Sequence, residues 1–433
     1  MKNNTFITII LYITFAKLTG YAQNPIFSIP DRYYHVGTTS TTPFPTNPNG
    51  YDGSPAQFCH NAMIDAQGNL KFFVVDWVVY HNNGEKMAEL FNSNNSVILG
   101  GQELGIIPDP ANCQRYYIFT SLRYGNNDFE KPYFAVVDLN QTGPYSSLLG
   151  NVVSTTNGNV VDISTMLPTG PQWFRYRIGF ALSKLRSSDN SRLVFIETQN
   201  NSIFLLKLDN SGLTYLNTIS INSGNSAELS AEVELIELSD GTYQYASART
   251  LNDDILPHKY AVYCANISGT GTVNSSFYYY LDYTQTDTEK PKIHGLEFSP
   301  DGNYLYFTHE TNNSNPNPIE YINVSTSAVN SLNVTNAGDF ALSNIELGTD
   351  GKLYFVTSDR LATYSTPNNP SGGTWTNSAI SVSYNPITTV LTSNGDNTIT
   401  YTLPDQIDGE DYFAQFTATQ ECCRQSQIYT IDS

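Results

Sequence analysis

The hydrophobic positions of this chain fall into short runs that recur in a fixed order. An apolar strand leads into a tight turn of Asp, Asn or Gly, a second apolar strand follows, and a third ends in Asp or Asn before Ser, Thr and Gly. The clearest copy covers residues 294–308 (HGLEFSPDGNYLYFT) and continues through residues 319–327 (IEYINVSTS). Repeated strand units of this kind are typical of β-propellers.

Six copies of this unit are recognised from their first two strands. These copies lie at residues 64–76, 107–121, 186–198, 237–249, 298–310 and 347–359. Three further apolar runs end in the same polar residues, at residues 133–143, 203–212 and 260–271. A third strand therefore belongs to the repeat, and the pattern predicts an all-β fold.

The turns and the strands after them favour the same architecture. Asp301-Gly302 and Asp350-Gly351 are residue pairs that supply the positive backbone dihedrals needed to reverse a twisted antiparallel ribbon. The strand after the first of these turns, residues 304–307 (YLYF), is apolar at both odd and even positions. A strand wetted on one face would instead alternate polar with apolar residues. These strands are therefore expected to be covered on both faces, as they are between neighbouring blades.

The spacing of the turns predicts the number of blades. Most intervals are near the propeller period of about 40 to 50 residues, but the interval with residues 144–183 is longer and holds either a degenerate blade or an insertion. The N-terminal segment, residues 25–55, can close a further blade by pairing with strands after Asn377, because closure removes exposed sheet edges. We predict a single β-propeller of seven blades, with six or eight as alternatives. The main rival architecture is a string of β-sandwich domains.

The first residues have the features of a signal peptide. Lys2 supplies positive charge, residues 6–16 are apolar, and Gly20 and Ala22 are small residues spaced for cleavage. The apolar stretch is shorter than the roughly 20 residues that a membrane span needs. The mature chain is therefore expected to be secreted or held at the cell surface, with no membrane span.

The chain is accordingly divided into three parts. We expect residues 1–22 to be the signal peptide and residues 23–403 to be the propeller. Residues 404–433 are expected to be a short C-terminal tail or the start of a missing downstream module.

The charge of the chain excludes two classes of partner. There are 21 Lys and Arg against 40 Asp and Glu, which gives a formal net charge of −19. A surface this acidic repels nucleic acid and anionic lipid. Tyr and Phe number 30 and 22, and this aromatic content favours strands.

Several segments resemble a known class of propeller. FSPDGNYLYFT (residues 298–308) and LGTDGKLYFVT (residues 347–357) are similar to repeats of TolB-like and WD-repeat-like bacterial proteins. The order of FCHNAMIDAQGNLKFF (residues 58–73), PDPANCQRYYIFTS (residues 108–121) and LPDQIDGEDY (residues 403–412) resembles the propeller region of secreted Bacteroidetes proteins that use type IX secretion. The resemblance spans about residues 23–415. It implies a propeller and export, and it implies no particular activity.

The sequence contains no recognisable set of catalytic or cofactor-binding residues. SGGTW (residues 371–375) has the ending of a sialidase turn, but Pro370 stands in place of its Asp. The chain has neither a Gly-x-Ser-x-Gly elbow nor a Gly-rich phosphate loop. We therefore nominate no catalytic residue and expect no cofactor.

The histidines are the strongest candidates for a metal site. His294 and His309 flank one blade hairpin, where the strands can bring them together with Glu297 or Glu310. However, none of the six histidines falls in a His-x-His or His-Glu-x-x-His pattern, and isolated strand histidines more often form local hydrogen bonds. We assign no metal.

Five cysteines in an exported chain indicate disulfide bonds. Cys59 and Cys113 lie in the first two units at comparable distances from their strands, so they are the candidates for a disulfide between neighbouring blades, with buried thiols as the alternative. Cys422 and Cys423 are adjacent, and a bond between neighbours is strained. Each is expected to pair elsewhere, including with Cys264 or with a missing module.

Function follows only in outline from these observations. The aromatic runs at residues 277–283 (FYYYLDY) and 33–35 offer stacking platforms for sugars, the alternative being packing within the blades. We predict a non-catalytic, monomeric binding or scaffold module at the cell surface, whose partner is an unknown protein or polysaccharide. One alternative is a secreted glycan- or peptide-cleaving propeller enzyme with carboxylates at the mouth of the central channel. Another is a structural spacer of a larger adhesin.

Overall fold

The computed structural model confirms that the chain is all-β. The described residues form 31 strands and two short 3₁₀ helices, at Ile163–Met166 and Ala337–Phe340. No helix among the described residues is long and apolar enough to cross a bilayer. The structure describes residues 26–65, 67–91, 104–123, 129–153, 159–168, 170, 174–175, 178–198, 202–221, 227–251, 259–281, 292–311, 317–383, 387–390, 397–404 and 407.

The first thirteen strands form three sheets. They are β1 (Ile26–Ile29), β2 (Arg32–His35), β3 (Thr41–Pro43), β4 (His60–Ile64), β5 (Leu70–Val75), β6 (Val78–His81), β7 (Lys86–Glu89), β8 (Gly105–Asp109), β9 (Asn112–Arg123), β10 (Phe129–Thr142), β11 (Leu149–Val152), β12 (Val160–Asp162) and β13 (Phe174–Arg175).

The next sixteen strands form four sheets, and the last two form a separate hairpin. They are β14 (Gly179–Leu182), β15 (Arg192–Thr198), β16 (Ser202–Asp209), β17 (Gly212–Ser220), β18 (Ala227–Glu237), β19 (Tyr243–Leu251), β20 (Lys259–Ile267), β21 (Val273–Tyr280), β22 (Ile293–Phe298), β23 (Tyr304–His309), β24 (Ile319–Asn323), β25 (Ala328–Ser331), β26 (Ile345–Leu347), β27 (Leu353–Val356), β28 (Arg360–Tyr364), β29 (Trp375–Ser381), β30 (Ile387–Val390) and β31 (Asn397–Thr400).

Seven sheets follow one another along the chain as the blades of a propeller, as predicted. Blade 1 is β1–β3, blade 2 is β4–β7, blade 3 is β8–β13, blade 4 is β14–β17, blade 5 is β18–β21, blade 6 is β22–β25 and blade 7 is β26–β29. In blades 4 to 7 each strand pairs antiparallel with the next, so the first strand lies at one edge of its sheet. First strands of neighbouring blades contact one another, as β18 does with β14 and β22. The first strands therefore surround the central axis.

The ring is closed by blade 1, which packs between blade 7 and blade 2. The rings of Phe27 and Tyr354 in blade 7 lie 5.0 Å apart, and Phe44 stacks at 4.3 Å on Phe73 of blade 2. The sequence pattern predicts that this segment pairs with strands after Asn377, but none of the described strands there does so, and the rest of that stretch lies outside the described residues. β1 pairs with β2, whereas β30 and β31 pair with each other. Blade 1 closes the ring by side-chain packing because its sheet carries buried apolar residues on both faces.

The long interval at residues 144–183 is an insertion, one of the two alternatives left open by the sequence. β11, β12 and β13 all pair with β10 and widen blade 3. β14, which follows them, is already the first strand of blade 4. The described residues of 144–178 therefore form no separate blade, and those of β14 belong to blade 4.

Central strands are covered on both faces, as the apolar pattern predicted. Leu305 and Phe307 pack in an apolar cluster shared with blade 5, and Tyr306 packs in another shared with blade 7. All seven residues of β15 are buried. Burial between two neighbours thus explains why both odd and even positions are apolar.

The turns between the first and second strands of the blades lie at one end of the ring, called here the hairpin face. In blade 5, Gly241 has a φ of +79°, and Oδ1 of Asp240 accepts a hydrogen bond from the backbone N–H of Thr242 at 2.9 Å. The Asp side chain therefore closes the turn and the Gly supplies the left-handed backbone. The other end of the ring, where the first strands begin, is called the opposite face.

Candidate functional site

A groove of about 1070 Å³ opens on the hairpin face where blades 4, 5 and 6 meet. Blade 5 contributes its turn (residues 237–240) and Gln244, and blade 6 contributes residues 300–303. Lys184 of blade 4 lies in the connection from β14 to β15 and lines the groove as well. Three consecutive blades therefore shape one concave surface.

A glycine lets two of these blades approach each other. Gly302 has a φ of +69°, and a Cβ atom placed on it would lie 2.6 Å from Cδ2 of Leu238 in blade 5. Leu238, Phe277 and Val324 pack against the apolar cluster between blades 5 and 6, and all three line the groove. The groove thus has an apolar floor that continues the core.

Some polar groups of the groove are committed to holding its turns. Oδ1 of Asp301 accepts hydrogen bonds from the Ser299 hydroxyl at 2.7 Å and the Asn303 backbone at 3.1 Å, while its Oδ2 accepts from the Asn303 amide at 2.7 Å. Nδ2 of Asn266 donates to the Thr242 hydroxyl at 2.9 Å. These side chains stabilise the rim.

Three other polar side chains of the groove have no such role, whereas Asp240 holds its own turn through Oδ1. Within the described part of the chain, Lys184, Ser239 and Gln244 form no side-chain hydrogen bond or ion pair. Hydrogen bonds from the hydroxyl and backbone N–H of Thr242 lower the pKa of Asp240, which therefore carries its negative charge at neutral pH. The groove consequently offers an ammonium, an amide, a hydroxyl and a carboxylate to a ligand.

A second cluster of titratable groups lies at the opposite face of blade 6. Nε2 of His294 is 3.2 Å from Oε1 of Glu310, and Nδ1 of His309 is 2.8 Å from the backbone oxygen of Glu310. Nε2 of His309 lies 3.8 Å from Oε2 of Glu320. The sequence predicted that the two histidines could meet Glu310 or Glu297, and the structure brings them to Glu310. Glu297 instead accepts a hydrogen bond from the backbone N–H of Leu347 at 2.7 Å.

The protonation of His309 follows from its surroundings. Burial lowers the pKa of His309 to about 4, an effect that exceeds those of its hydrogen bond to the Glu310 backbone and of the neighbouring charges. The ring is therefore neutral at pH 7, and Nδ1 carries the proton because it faces a carbonyl oxygen. Among the residues that the structure describes, no three His, Cys, Asp or Glu side chains are arranged to hold a metal ion.

The proposed disulfide between Cys59 and Cys113 is not formed. Cys113 is disulfide-bonded, but Cys59 is a buried thiol whose sulfur lies 3.4 Å from the backbone oxygen of Asp76. Cys59 directly precedes β4 at the opposite face, whereas Cys113 is the second residue of β9, at the hairpin face. A five-residue strand of about 17 Å separates these ends, while the Cα atoms of a disulfide lie within roughly 7 Å. Cys422 and Cys423 lie outside the described residues.

The aromatic runs mostly serve packing, the alternative left open by the sequence. Tyr34 is buried, and Tyr33 stacks on Phe44 at 5.6 Å. Phe277 and Tyr279 pack into the cluster between blades 5 and 6, and Tyr280 is 43% exposed. Residues 282–283, at the end of the run at residues 277–283, lie outside the described residues.

The residues missed by the sequence analysis are Lys184, Ser239 and Gln244. No spacing or motif distinguishes them from other polar residues near turns. Their availability depends on which side chains neighbouring blades bring to them, and that becomes visible only in three dimensions.

No family model matches the chain, and no curated protein matches it. Solved structures are similar in fold at low identity. An ancestral GH74 enzyme has a TM-score of 0.44 at 10% identity, covering 88% of this chain and 49% of that chain. An oligogalacturonate lyase in complex with manganese has a TM-score of 0.38 at 11% identity over 75% and 78% of the two chains. A Penicillium chrysogenum alpha-L-arabinanase complexed with arabinobiose has a TM-score of 0.36 at 11% identity over 68% and 90%.

These similarities are too weak to indicate an activity. The propeller fold is shown by the structure itself. The resemblance to secreted Bacteroidetes propellers and the boundaries of the signal peptide and tail stay predictions.

Proposed function

We propose that this chain is an exported binding module that holds a polysaccharide in the groove on the hairpin face. The observation that carries the proposal is the set of uncommitted polar side chains, Lys184, Ser239 and Gln244, above an apolar floor. A sugar presents hydroxyl groups that both donate and accept hydrogen bonds, together with apolar C–H faces. A mixed polar and apolar lining suits both parts of such a ligand.

The size and shape of the groove favour a polysaccharide over a protein partner. Its volume of about 1070 Å³ is slightly above the roughly 300–1,000 Å³ range of ligand pockets. A stable protein interface instead buries about 800 Å² per partner around an apolar centre. The groove is concave and lined by both polar and apolar side chains, so an extended chain of sugars fits it better.

The turns that form the groove support binding by being fixed beforehand. Asp301 is held by hydrogen bonds within its own turn, and Asn266 of β20 donates to the Thr242 hydroxyl beside the turn of blade 5. A site that is already ordered loses little conformational entropy when a ligand binds. We propose, as expected from the sequence, that the module acts as a monomer.

The export and cell-surface parts of the proposal depend on the signal-peptide pattern of residues 1–22. These residues lie outside the described part of the structure. The net charge of −19 is consistent with a soluble surface that avoids nucleic acid and anionic lipid.

The binding proposal is tested by screening the mature protein on a glycan array. The affinity for each glycan that binds is then measured by calorimetry. In the double variant Asp240→Asn, Gln244→Ala, affinity is expected to fall about tenfold, because two hydrogen-bonding groups are changed. Asp350→Asn, at the equivalent turn of blade 7, serves as the matched control and is expected to bind like the wild type. A wild-type protein that binds no glycan would contradict the proposal.

A second candidate function is the cleavage of a glycan or peptide at the opposite face. The observation that favours it is the contact of His294 with Glu310 at the end of the ring where the first strands begin. Glu310 is the exposed member of this pair, with 27% of its side chain accessible against 1% for His294. A carboxylate held by a histidine is a candidate acid or base. Turnover of glycan and peptide libraries by the wild type, and its loss in Glu310→Gln, would support this function, whereas an inert wild type would remove it.

A further inference from the structure

We propose that the groove selects acidic saccharides, and that the ammonium group of Lys184 binds their carboxylate or sulfate. This inference rests on the proposed binding function and adds the ligand's charge to it. It follows from the ion pairs and hydrogen bonds of the other cationic side chains, from the fixed backbone position of Lys184, and from the distribution of charge in the groove.

Cations are scarce in this chain, and all but one of those that the structure describes have an interaction partner. Nine of them form ion pairs with carboxylates: Arg32, Lys86, Arg115, Lys131, Arg186, Lys207, Arg249, Lys352 and Arg360. Lys71 donates to the Tyr116 hydroxyl, Arg192 donates to the Ser183 backbone, and Lys292 also has a partner. Of the cationic side chains that the structure describes, Lys184 alone has none of these interactions, and it lines the groove.

The backbone at Lys184 is held in place from both sides. The hydroxyl of Ser183 donates to the backbone oxygen of Lys184 at 2.9 Å and accepts from the backbone N–H of Leu193 at 2.7 Å. Arg192 donates to the backbone oxygen of Ser183 at 3.1 Å. The side chain of Lys184 therefore starts from a fixed backbone position on the edge of the groove.

The charges across the groove restrict where an anionic group can lie. Lys184 is the one cation among the lining residues, against the carboxylates of Glu237, Asp240 and Asp301. Those carboxylates repel an anion. An acidic saccharide is thus expected to bind in one orientation, with its anionic group at the blade 4 side.

The test compares neutral oligosaccharides with their uronate-bearing and sulfated counterparts on one array at fixed ionic strength. The wild type is expected to favour the acidic members, and the uronate and sulfate arms distinguish the two sources of negative charge. In Lys184→Met, affinity for acidic members is expected to fall about tenfold and affinity for neutral members to change less than about twofold, because only the charged hydrogen bond is lost.

Two further variants keep the result interpretable. Lys184→Arg retains the charge and is expected to keep the acidic preference, and Lys352→Met removes a lysine paired with Asp350 in blade 7 and is expected to change nothing. Circular dichroism and thermal unfolding check that each variant is folded. Binding of neutral glycans alone, or an acidic preference that survives Lys184→Met, would overturn the inference while leaving the binding function intact. Binding of no glycan by the wild type would overturn both.

Discussion

The groove and the His–Glu cluster both collect polar side chains at strand ends, but they differ in what those side chains do. At the opposite face, His294 and His309 are buried and contact Glu310. At the hairpin face, Lys184 and Gln244 remain without a partner among the described residues. Buried polar groups need partners, and groups at a binding surface gain them from the ligand. The comparison separates groups that stabilise the ring from groups that are available for binding.

The largest expected effect on stability concerns the ion pair of Arg249 and Glu197, which is buried between blades 4 and 5. Arg249 donates to the carboxylate of Glu197, and both side chains are only 1% exposed. Tyr245 donates to the same carboxylate. Arg249→Met leaves the Glu197 charge buried without its cation, and we expect unfolding free energy to fall by about 3–5 kcal/mol. Chemical denaturation measures this loss.

The double variant Arg249→Met, Glu197→Gln controls for the charge. It is expected to recover part of the lost stability, because no uncompensated charge is then buried. Equal stability of the single variant and the wild type would show that the pair is solvated, and the contrast with the groove would disappear.

The second expected effect is a pH dependence that comes from His309. The folded protein keeps this ring neutral down to a pKa of about 4, whereas the unfolded chain binds a proton below about pH 6.5. Between these values the unfolded state binds more protons, so stability falls as the pH is lowered through this window. The full contribution amounts to about 3 kcal/mol. Denaturation curves recorded from pH 7 to pH 4 measure it.

His309→Asn isolates this contribution. Asn keeps a donor for the Glu310 backbone but does not titrate, so the variant is expected to lose less stability between pH 7 and pH 4 than the wild type. His60, whose pKa burial lowers to about 3, remains in both proteins and cancels in the difference. Parallel pH profiles for the two proteins would contradict the assignment.

The third expected effect concerns the glycine that lets blade 6 approach blade 5. Gly302→Ala places a Cβ at a φ of +69° and 2.6 Å from Leu238, and we expect a stability loss of about 1–2 kcal/mol together with weaker glycan binding. Gly241→Ala is the matched control, since its φ is +79° but no atom lies within 4 Å of the added Cβ. The two variants share the backbone cost, so only Gly302→Ala is expected to affect binding. Equal glycan affinities would show that the approach of these blades does not shape the groove.

Local features of the fold were predictable from sequence, and contacts between distant segments were not. The Asp301-Gly302 turn and the apolar faces around Tyr306 depend on adjacent residues, and both agree with the structure. Ring closure by blade 1 depends on its side-chain contacts with blades 7 and 2, which are far from each other in the sequence. The separation of Cys59 from Cys113 depends on which end of a strand each occupies. Likewise, Lys184 is distinguished by the partners that it lacks, and a one-dimensional pattern does not show these.

The smallest expected effect is the stability of the groove variants. Gln244 is partly exposed and makes no side-chain hydrogen bond to the described residues, so Gln244→Ala is expected to change unfolding free energy by less than about 0.5 kcal/mol. Lys184→Met is expected to change the unfolding free energy equally little while lowering the affinity for acidic glycans. Substitutions of polar side chains that act in binding should thus barely change the unfolding free energy, whereas substitution of Arg249 should lower it strongly. A large destabilisation by Gln244→Ala would place this residue with the groups that hold the ring together.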